Sequence, residues 1–378
     1  MNTLAVSPIL PVYARQDLTF VRGEGATLVD AEGRSYLEFL AGIAVVGLGH
    51  CHPAPLAAAQ AQLERLWHVS NLYWSEPMIA LAERLSERFG GAQAFFCNSG
   101  AEAVEAGLKY ARKATGKPGV VSLTGSFHGR TLGALSVTGQ PGKREAFEPL
   151  LPHVRFAAPN DVDSLGAAVA GETGCILLEP VQGEGGVHEL DVGFVADARR
   201  LADESGAVLL LDEVQTGVGR TGTFFAWERL GVRPDAVTLA KGLANGLPIG
   251  CLLVGDGAPE GFAPGDHAST FGGNPVTCAA AAAVCDELTD DLLARVTATG
   301  RALAAGLSEL PCVREVRGVG LLLGAELDRP AADVVAQCAE RGLLVGTAGE
   351  NVLRVTPPLV VTAAEVDQAL GVLEEVLA

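Results

Sequence analysis

Residues 207–212 read Ala-Val-Leu-Leu-Leu-Asp and residues 236–241 read Ala-Val-Thr-Leu-Ala-Lys, so each apolar run is followed closely by a charged side chain. Three more short apolar runs occupy residues 119–123, 175–179 and 250–254. Continuous runs of Val, Leu and Ile between helical stretches are typical of strands buried on both faces of a parallel sheet. The sequence therefore predicts an α/β centre.

The two ends of the chain have a different pattern from this centre. Residues 18–39 alternate short apolar segments with the turn Asp-Ala-Glu-Gly at 30–33, which predicts a small antiparallel β element. The last hundred residues combine helices and strands and indicate an α+β unit. We predict a large α/β domain at 51–274 and a small α+β domain formed by 1–50 and 275–378. The elements expected in the C-terminal part are an Ala-rich helix after Pro275, strands near 313–327, a helix near 330–341, strands near 342–346 and 351–356, and a closing helix at 363–377.

Charge and composition exclude several classes of partner. The chain has 27 Lys and Arg against 45 Asp and Glu, a formal net charge of −18, which opposes binding to nucleic acid or to an anionic membrane surface. No apolar run approaches the roughly 18 residues that a membrane span requires. The segment Met1–Leu4 has no basic residue, and none of the eight cysteines forms a Cys-x-x-Cys pair, so we expect a cytoplasmic protein. His50 and His52 lack a clustered third ligand, so no metal is predicted.

Asp212 and Lys241 are the first candidate site residues, because ligands bind at the carboxyl ends of strands in an open parallel sheet. Residues 238–250 around Lys241 are small or apolar, which should desolvate its ammonium, lower its pKa and suit it to form a Schiff base. A structural ion pair between the two is the alternative. The turn at 98–100 opens a predicted helix whose first N–H groups could bind a phosphate, although a Ser cap with nothing bound is the commoner meaning of such a turn.

Six motifs in the sequence resemble, in order and spacing, those of the class III pyridoxal-phosphate aminotransferases. The resemblance extends over nearly the whole chain and implies the fold-type I architecture, in which a large domain with a mostly parallel sheet joins a small domain made from both chain ends. It also implies a homodimer with shared active sites. The motifs are Asn-Ser-Gly-Ala-Glu-Ala at 98–103, Ser-Phe-His-Gly-Arg-Thr at 126–131, Glu-Pro-Val-Gln-Gly-Glu-Gly-Gly at 179–186, Asp-Glu-Val-Gln-Thr-Gly at 212–217, Lys241, and Ser-Thr-Phe-Gly-Gly-Asn-Pro at 269–275.

The resemblance implies roles around the cofactor pyridoxal 5′-phosphate. Lys241 would bind the cofactor covalently and later move a proton, while Asp212 would face the pyridine nitrogen and keep it protonated. The remaining implied cofactor contacts are Gly100 and Ala101 at the phosphate, Phe127 stacked on the ring, Gln215 at the ring oxygen O3′, Glu213 and Val214 from the same motif, and Thr270 reaching the phosphate of the neighbouring subunit.

Four more residues are implied to contact the substrates. Arg130 and Arg354 would bind carboxylates, because a guanidinium presents a planar fork of donors. Glu184 would pair with Arg354, and Ser269 would lie beside the substrate.

Two segments, 68–73 and 138–150, most resemble the family members that act on N-acetylornithine. The expected reaction moves the δ-amino group of N-acetylornithine to 2-oxoglutarate, a step of arginine biosynthesis. N-succinyldiaminopimelate, a lysine-pathway amine on a carrier protein and 4-aminobutyrate remain alternative donors, and an aminomutase is the alternative from another enzyme class. Val104 and Ala268 depart from the family pattern, but neither lies at a residue expected to touch the cofactor ring.

Overall fold

The structure is a computed structural model that describes residues 8–378. The prediction for Met1–Leu4 lies outside them. The strands are β1 Phe20–Glu24, β2 Thr27–Asp30, β3 Ser35–Glu38, β4 Ala92–Cys97, β5 Gly119–Leu123, β6 Val154–Ala157, β7 Thr173–Leu178, β8 Val181–Gln182, β9 His188–Glu189, β10 Val208–Asp212, β11 Ala236–Leu239, β12 Gly250–Gly255, β13 Val313–Val319, β14 Leu322–Leu327, β15 Leu343–Leu344, β16 Gly346–Thr347 and β17 Val352–Val355. The helices are α1 Ala41–Ala44, α2 Pro53–Leu63, α3 Glu76–Phe89, α4 Gly100–Thr115, α5 Leu132–Ser136, α6 Pro141–Arg144, α7 Val162–Ala168, α8 Val192–Ser205, α9 Trp227–Leu230, α10 Pro275–Glu287, α11 Asp290–Ser308, α12 Ala331–Glu340 and α13 Ala363–Leu377.

A seven-stranded sheet forms the centre, with the order β4-β12-β11-β10-β7-β5-β6. The pairs β11/β10, β10/β7 and β7/β5 are parallel, as predicted. β6, which was not predicted, joins β5 in parallel at the edge of the sheet. The prediction of a parallel strand at 250–254 was wrong in direction, because β12 runs antiparallel to both β11 and β4. Residues 240–249 contain no crossover helix and are too few to return the chain to the start of the sheet, so the next strand must run backwards.

Helices cover both faces of this sheet, and alternate residues of one strand enter different parts of the core. Leu209 and Leu211 of β10 pack with α8 residues such as Phe194 and Val195. Leu210 of β10 packs on the other face with α4 residues such as Leu108. A strand buried on both faces loses the polar alternation of a half-exposed strand, which explains the continuous apolar runs.

The chain ends build two smaller sheets. β1, β2 and β3 form the predicted antiparallel element, and β15 from the C-terminal part joins its edge in parallel with β3. β13, β14, β17 and β16 form an antiparallel sheet. The long helix α11 was not predicted. α10 packs against α2 and α3, across the predicted boundary at 274, and the division into two domains stays a prediction.

In the part of the chain that the structure describes, no helix is long and apolar enough to cross a membrane.

Candidate active site

A cavity of about 320 Å³ lies where the carboxyl ends of several sheet strands meet. Most lining segments follow a strand: 98–101 follows β4, 127–129 follows β5, Glu179 follows β7, and 240–241 follows β11. Val45 and residues 246–249 complete the lining. Asp212, the last residue of β10, lines the same cavity. The structure therefore brings Asp212, Lys241, Phe127, Gly100 and Ala101 together, as the sequence predicted.

Asp212 is buried and held by three donors. Its Oδ1 accepts hydrogen bonds from Thr238 Oγ1 at 3.0 Å and from the Val214 amide at 3.1 Å. Its Oδ2 lies 2.7 Å from His128 Nδ1. Because every donor is itself buried or part of the backbone, the orientation of the carboxylate is fixed before any ligand binds.

His128 is a buried partner of Asp212 that the motif alone did not assign. Ser122 Oγ lies 3.3 Å from His128 Nε2 and donates to the Val137 carbonyl at 2.7 Å. A carboxylate at Nδ1 favours the protonated ring, in which both nitrogens donate. Burial disfavours that charge, but the hydrogen bond with Asp212 raises the pKa of His128 above its ordinary value.

Lys241 has a strained backbone and a weakened charge. Its φ is 43°, in the left-handed region that non-glycine residues avoid. Burial lowers the pKa of its ammonium, against the attraction of Glu184 and Asp212, as the sequence predicted. More of the side chain is therefore neutral amine at neutral pH, which is the form that attacks an aldehyde.

The start of α4 fits a phosphate group. Among the described residues, the amides of Gly100 and Ala101 donate to no protein acceptor, while Ser99 Oγ caps the Glu102 amide. A Cβ at Gly100 would lie 2.7 Å from Val214 Cγ1, so only glycine lets the helix end approach the segment after β10 this closely. Two free amides and the positive end of a 16-residue helix suit a dianion.

Glu179 is a buried acid to which sequence reasoning gave no role. Its Oε2 accepts from the Phe127 amide at 2.8 Å, and burial raises the pKa of this carboxyl to about 7. Its place directly after β7 was the available signal, because the same argument selected Asp212.

Arg354, Glu184 and Gln215 form a cluster at the same site. Arg354 is buried, and its Nη1 donates to the Gly183 carbonyl at 3.0 Å, to Glu184 Oε1 and to Gln215 Oε1 at 3.4 Å. Burial alone would raise the pKa of Glu184, but the Arg354 guanidinium holds it below the ordinary value. The buried Nε of Arg354 finds no acceptor among residues 8–378, so one donor remains for a ligand.

Val214 and Gln215 also line the cavity, whereas the other predicted residues lie outside its lining, Glu184 and Arg354 included. Glu213 points away from it, and its carboxylate accepts from the Ala226 and Trp227 amides at 2.6 and 2.8 Å. Arg130 is exposed, with its guanidinium carbon 5.7 Å from the centre of the Phe127 ring. Thr270 is exposed as well, and Ser269 Oγ accepts from Asn98 Nδ2 at 3.2 Å and from the Gly272 amide.

Comparisons with known proteins agree with this site. The family model for class III aminotransferases matches residues 12–377, and the chain belongs to this family. Class III aminotransferases depend on pyridoxal phosphate, and the cavity is lined by a lysine, a buried carboxylate and the N-terminus of a helix, which are groups that fit this cofactor.

Individual relatives cover the full chain. The acetylornithine aminotransferase of Caldanaerobacter subterraneus subsp. tengcongensis is 47% identical over 100% of this chain and 99% of its own length. That of Archaeoglobus fulgidus is 46% identical, covering 97% of both. Among solved structures, N-acetylornithine aminotransferase from Stenotrophomonas maltophilia has a TM-score of 0.83 at 38% identity, covering 97% of this chain and 96% of that one. Ornithine aminotransferase from Toxoplasma gondii ME49 reaches 0.92 at 32% identity, covering 98% and 92%.

Proposed function

We propose that this chain transfers the δ-amino group of N-acetylornithine to 2-oxoglutarate, giving N-acetylglutamate semialdehyde and glutamate. The observation that carries the proposal is the buried Arg354 with Glu184 beside it in an aminotransferase site. The full-length identity of 46 to 47% to acetylornithine aminotransferases supports this choice of donor.

When bound, pyridoxal phosphate supplies an aldehyde that condenses with amines and a ring that draws electrons from the substrate carbon. Lys241 would hold that aldehyde and, once displaced, carry a proton between substrate and cofactor. Asp212, oriented by its contact with His128, would hold a proton on the ring nitrogen. Phe127 would cover the ring, and the amides of Gly100 and Ala101 would hold the phosphate.

Glu184 would switch the pocket between its two substrates. The amino donor presents a reacting carbon without a carboxylate, so Glu184 stays on Arg354 and neutralises it. The carboxylate of the amino donor, which is distant from the reacting carbon, would then be bound by Arg130. The acceptor 2-oxoglutarate brings a second carboxylate, which would replace Glu184 on Arg354 and use its unpaired Nε.

A homodimer completes the proposal. Three large apolar residues of the segment at 66–74 are exposed: Trp67 at 68%, Leu72 at 85% and Trp74 at 82%. Phe271, which is 62% exposed, lies next to this segment. Asn71 Nδ2 donates to the Ser269 and Gly272 carbonyls, which ties this apolar surface to the turn that carries Thr270. A second copy covering this surface would bury the tryptophans and bring Thr270 to the neighbouring phosphate site.

All eight cysteines are free thiols, which supports a reducing compartment such as the cytoplasm.

The test is a set of initial rates with the purified holoenzyme and 2-oxoglutarate. N-acetylornithine should give the highest kcat/KM among N-acetylornithine, N-succinyldiaminopimelate, ornithine and 4-aminobutyrate. A higher value for another amine would replace the proposed donor. Turnover of the amine without any keto acid would instead identify an aminomutase.

A further inference from the structure

Lys143 is a second cation beside the active site that none of the roles above uses. It lies in the short helix α6, and its Nζ is 5.7 Å from the centre of the Phe127 ring. The Arg130 guanidinium carbon is also 5.7 Å from that ring centre. Because Phe127 lines the cavity, two positive charges lie within 6 Å of a ring that forms part of its wall.

The position of the Lys143 ammonium is fixed by the segment that also carries Phe127. Lys143 Nζ donates to Gln140 Oε1. The amide nitrogen of Gln140 in turn donates to the Gly125 carbonyl at 3.0 Å and to the Ser126 carbonyl at 3.4 Å. Lys143 is only partly exposed, so its charge is held beside the cavity instead of moving freely in solvent.

Neither cation has a carboxylate of its own. Within residues 8–378, no ion pair joins Arg130 or Lys143 to an acid, and Glu184 is already bound to Arg354. Burial lowers the pKa of Lys143, and repulsion from Arg130 and Arg354 lowers it further, against the attraction of Glu184. An anion placed between the two cations would remove this repulsion, and a carboxylate is the anion that the substrates of this enzyme class carry.

We propose that Lys143 binds the distant carboxylate of the amino donor together with Arg130, and that it is therefore a specificity-determining residue. The proposal rests on the proposed function, because it takes a donor with an amine at one end and a carboxylate at the other. The planar fork of Arg130 orients the carboxylate, whereas the ammonium of Lys143 adds attraction with less directional demand.

The experiment compares two amines in single-turnover reactions of the holoenzyme. N-acetyl-1,4-diaminobutane is N-acetylornithine without its carboxylate, so it reports any effect of Lys143 that does not involve that group. Lys143→Met should lower the specificity constant about tenfold for N-acetylornithine and less than about twofold for N-acetyl-1,4-diaminobutane. Lys143→Arg should retain most of the wild-type value.

Lys117→Met is the matched control. Lys117 lies just before β5, at the opposite end of the sheet from the cavity, and its ammonium donates to the Ser205 carbonyl. This variant should leave both amines unchanged. Equal losses for both amines in Lys143→Met would mean that Lys143 acts through the packing of Phe127, and would overturn the proposal. No loss with N-acetylornithine would overturn it as well.

Glutarate separates this proposal from the proposed function, since its binding requires no amine. Calorimetric titration of the holoenzyme should give a dissociation constant about tenfold weaker in Lys143→Met than in the wild type. A wild-type enzyme inactive on N-acetylornithine would contradict the proposed function only. Equal glutarate affinities in the two proteins would contradict the assignment of Lys143.

Discussion

Asp212 shows how single residues prepare the site for chemistry, because three hydrogen bonds fix its carboxylate and one of them joins it to the buried His128. Asp212→Asn keeps the volume but loses the charge opposite the ring nitrogen. We expect the overall rate to fall by roughly two orders of magnitude or more, because a charge that stabilises a developing carbanion contributes several kcal/mol to the barrier. Steady-state rates measure this, with the surface variant Asp203→Asn as the control. Near-normal turnover of Asp212→Asn would make the carboxylate structural.

Glu184 has an effect that should differ between the two half-reactions. Glu184→Ala leaves Arg354 without its partner when the donor is bound, since a buried charge without a counter-ion is unfavourable. The half-reaction with N-acetylornithine should therefore slow by about tenfold or more, while the half-reaction with glutamate stays equal or becomes faster. Single-turnover absorbance of the cofactor follows each half separately. Glu189→Ala in the same hairpin is the control, and equal losses in both halves would refute the switch.

At the scale of elements, the start of α4 depends on close contact with the segment after β10. Gly100→Ala would place a Cβ 2.7 Å from Val214 Cγ1, so the helix end has to shift. We expect weaker binding of pyridoxal phosphate by about tenfold or more, because the amides that hold the phosphate move with the helix. Gly371→Ala in α13 is the control, since nothing lies within 4 Å of its added Cβ. Unchanged cofactor affinity in Gly100→Ala would contradict the phosphate assignment.

The segment from 213 to 227 gives a prediction about pH. Burial raises the pKa of Glu213 from 4.5 to about 8, so the folded chain keeps a proton that the unfolded chain has lost. Where the folded state binds more protons than the unfolded state, the free energy of unfolding falls as pH rises. For Glu213 this fall occurs between about pH 4.5 and pH 8, with a slope of at most ~1.4 kcal/mol per pH unit. Urea unfolding of Glu213→Gln should show a flatter pH dependence than the wild type or Glu374→Gln. Identical slopes would show that Glu213 is ionised in the folded protein.

At the scale of the whole molecule, the exposed apolar surface around Trp67, Leu72, Trp74 and Phe271 predicts self-association. Trp74→Asp places a charge on this surface and should convert a dimer into monomers at micromolar concentration, with a large loss of activity because Thr270 then lacks its neighbouring site. Analytical ultracentrifugation measures the change. Val192→Asp, at an apolar residue 56% exposed on α8, should remain a dimer. If the wild-type protein sedimented as a monomer, the proposal of an active site shared between two subunits would be wrong.

Local sequence was enough to predict most strands of the central sheet, though not β6, and to select candidate residues at their ends. Asp212 and Lys241 were found because each follows closely on a buried run, and the start of α4 because Asn-Ser-Gly precedes a helical pattern. Glu213 follows Asp212 directly, but successive residues in an extended chain point to opposite sides, so it faces the turn at 226–227 and not the cavity.

Only the tertiary structure decided which distant groups meet. His128 and Asp212 are 84 residues apart in sequence, and Arg354 and Glu184 are 170 apart, yet each pair is in contact. The contact between Glu179 and Phe127 and the approach of Lys143 to the Phe127 ring have the same origin. Residue type and spacing define what a side chain can do and where a strand or helix forms. Which groups become neighbours depends on how helices and sheets pack, and that packing is determined by the whole chain together.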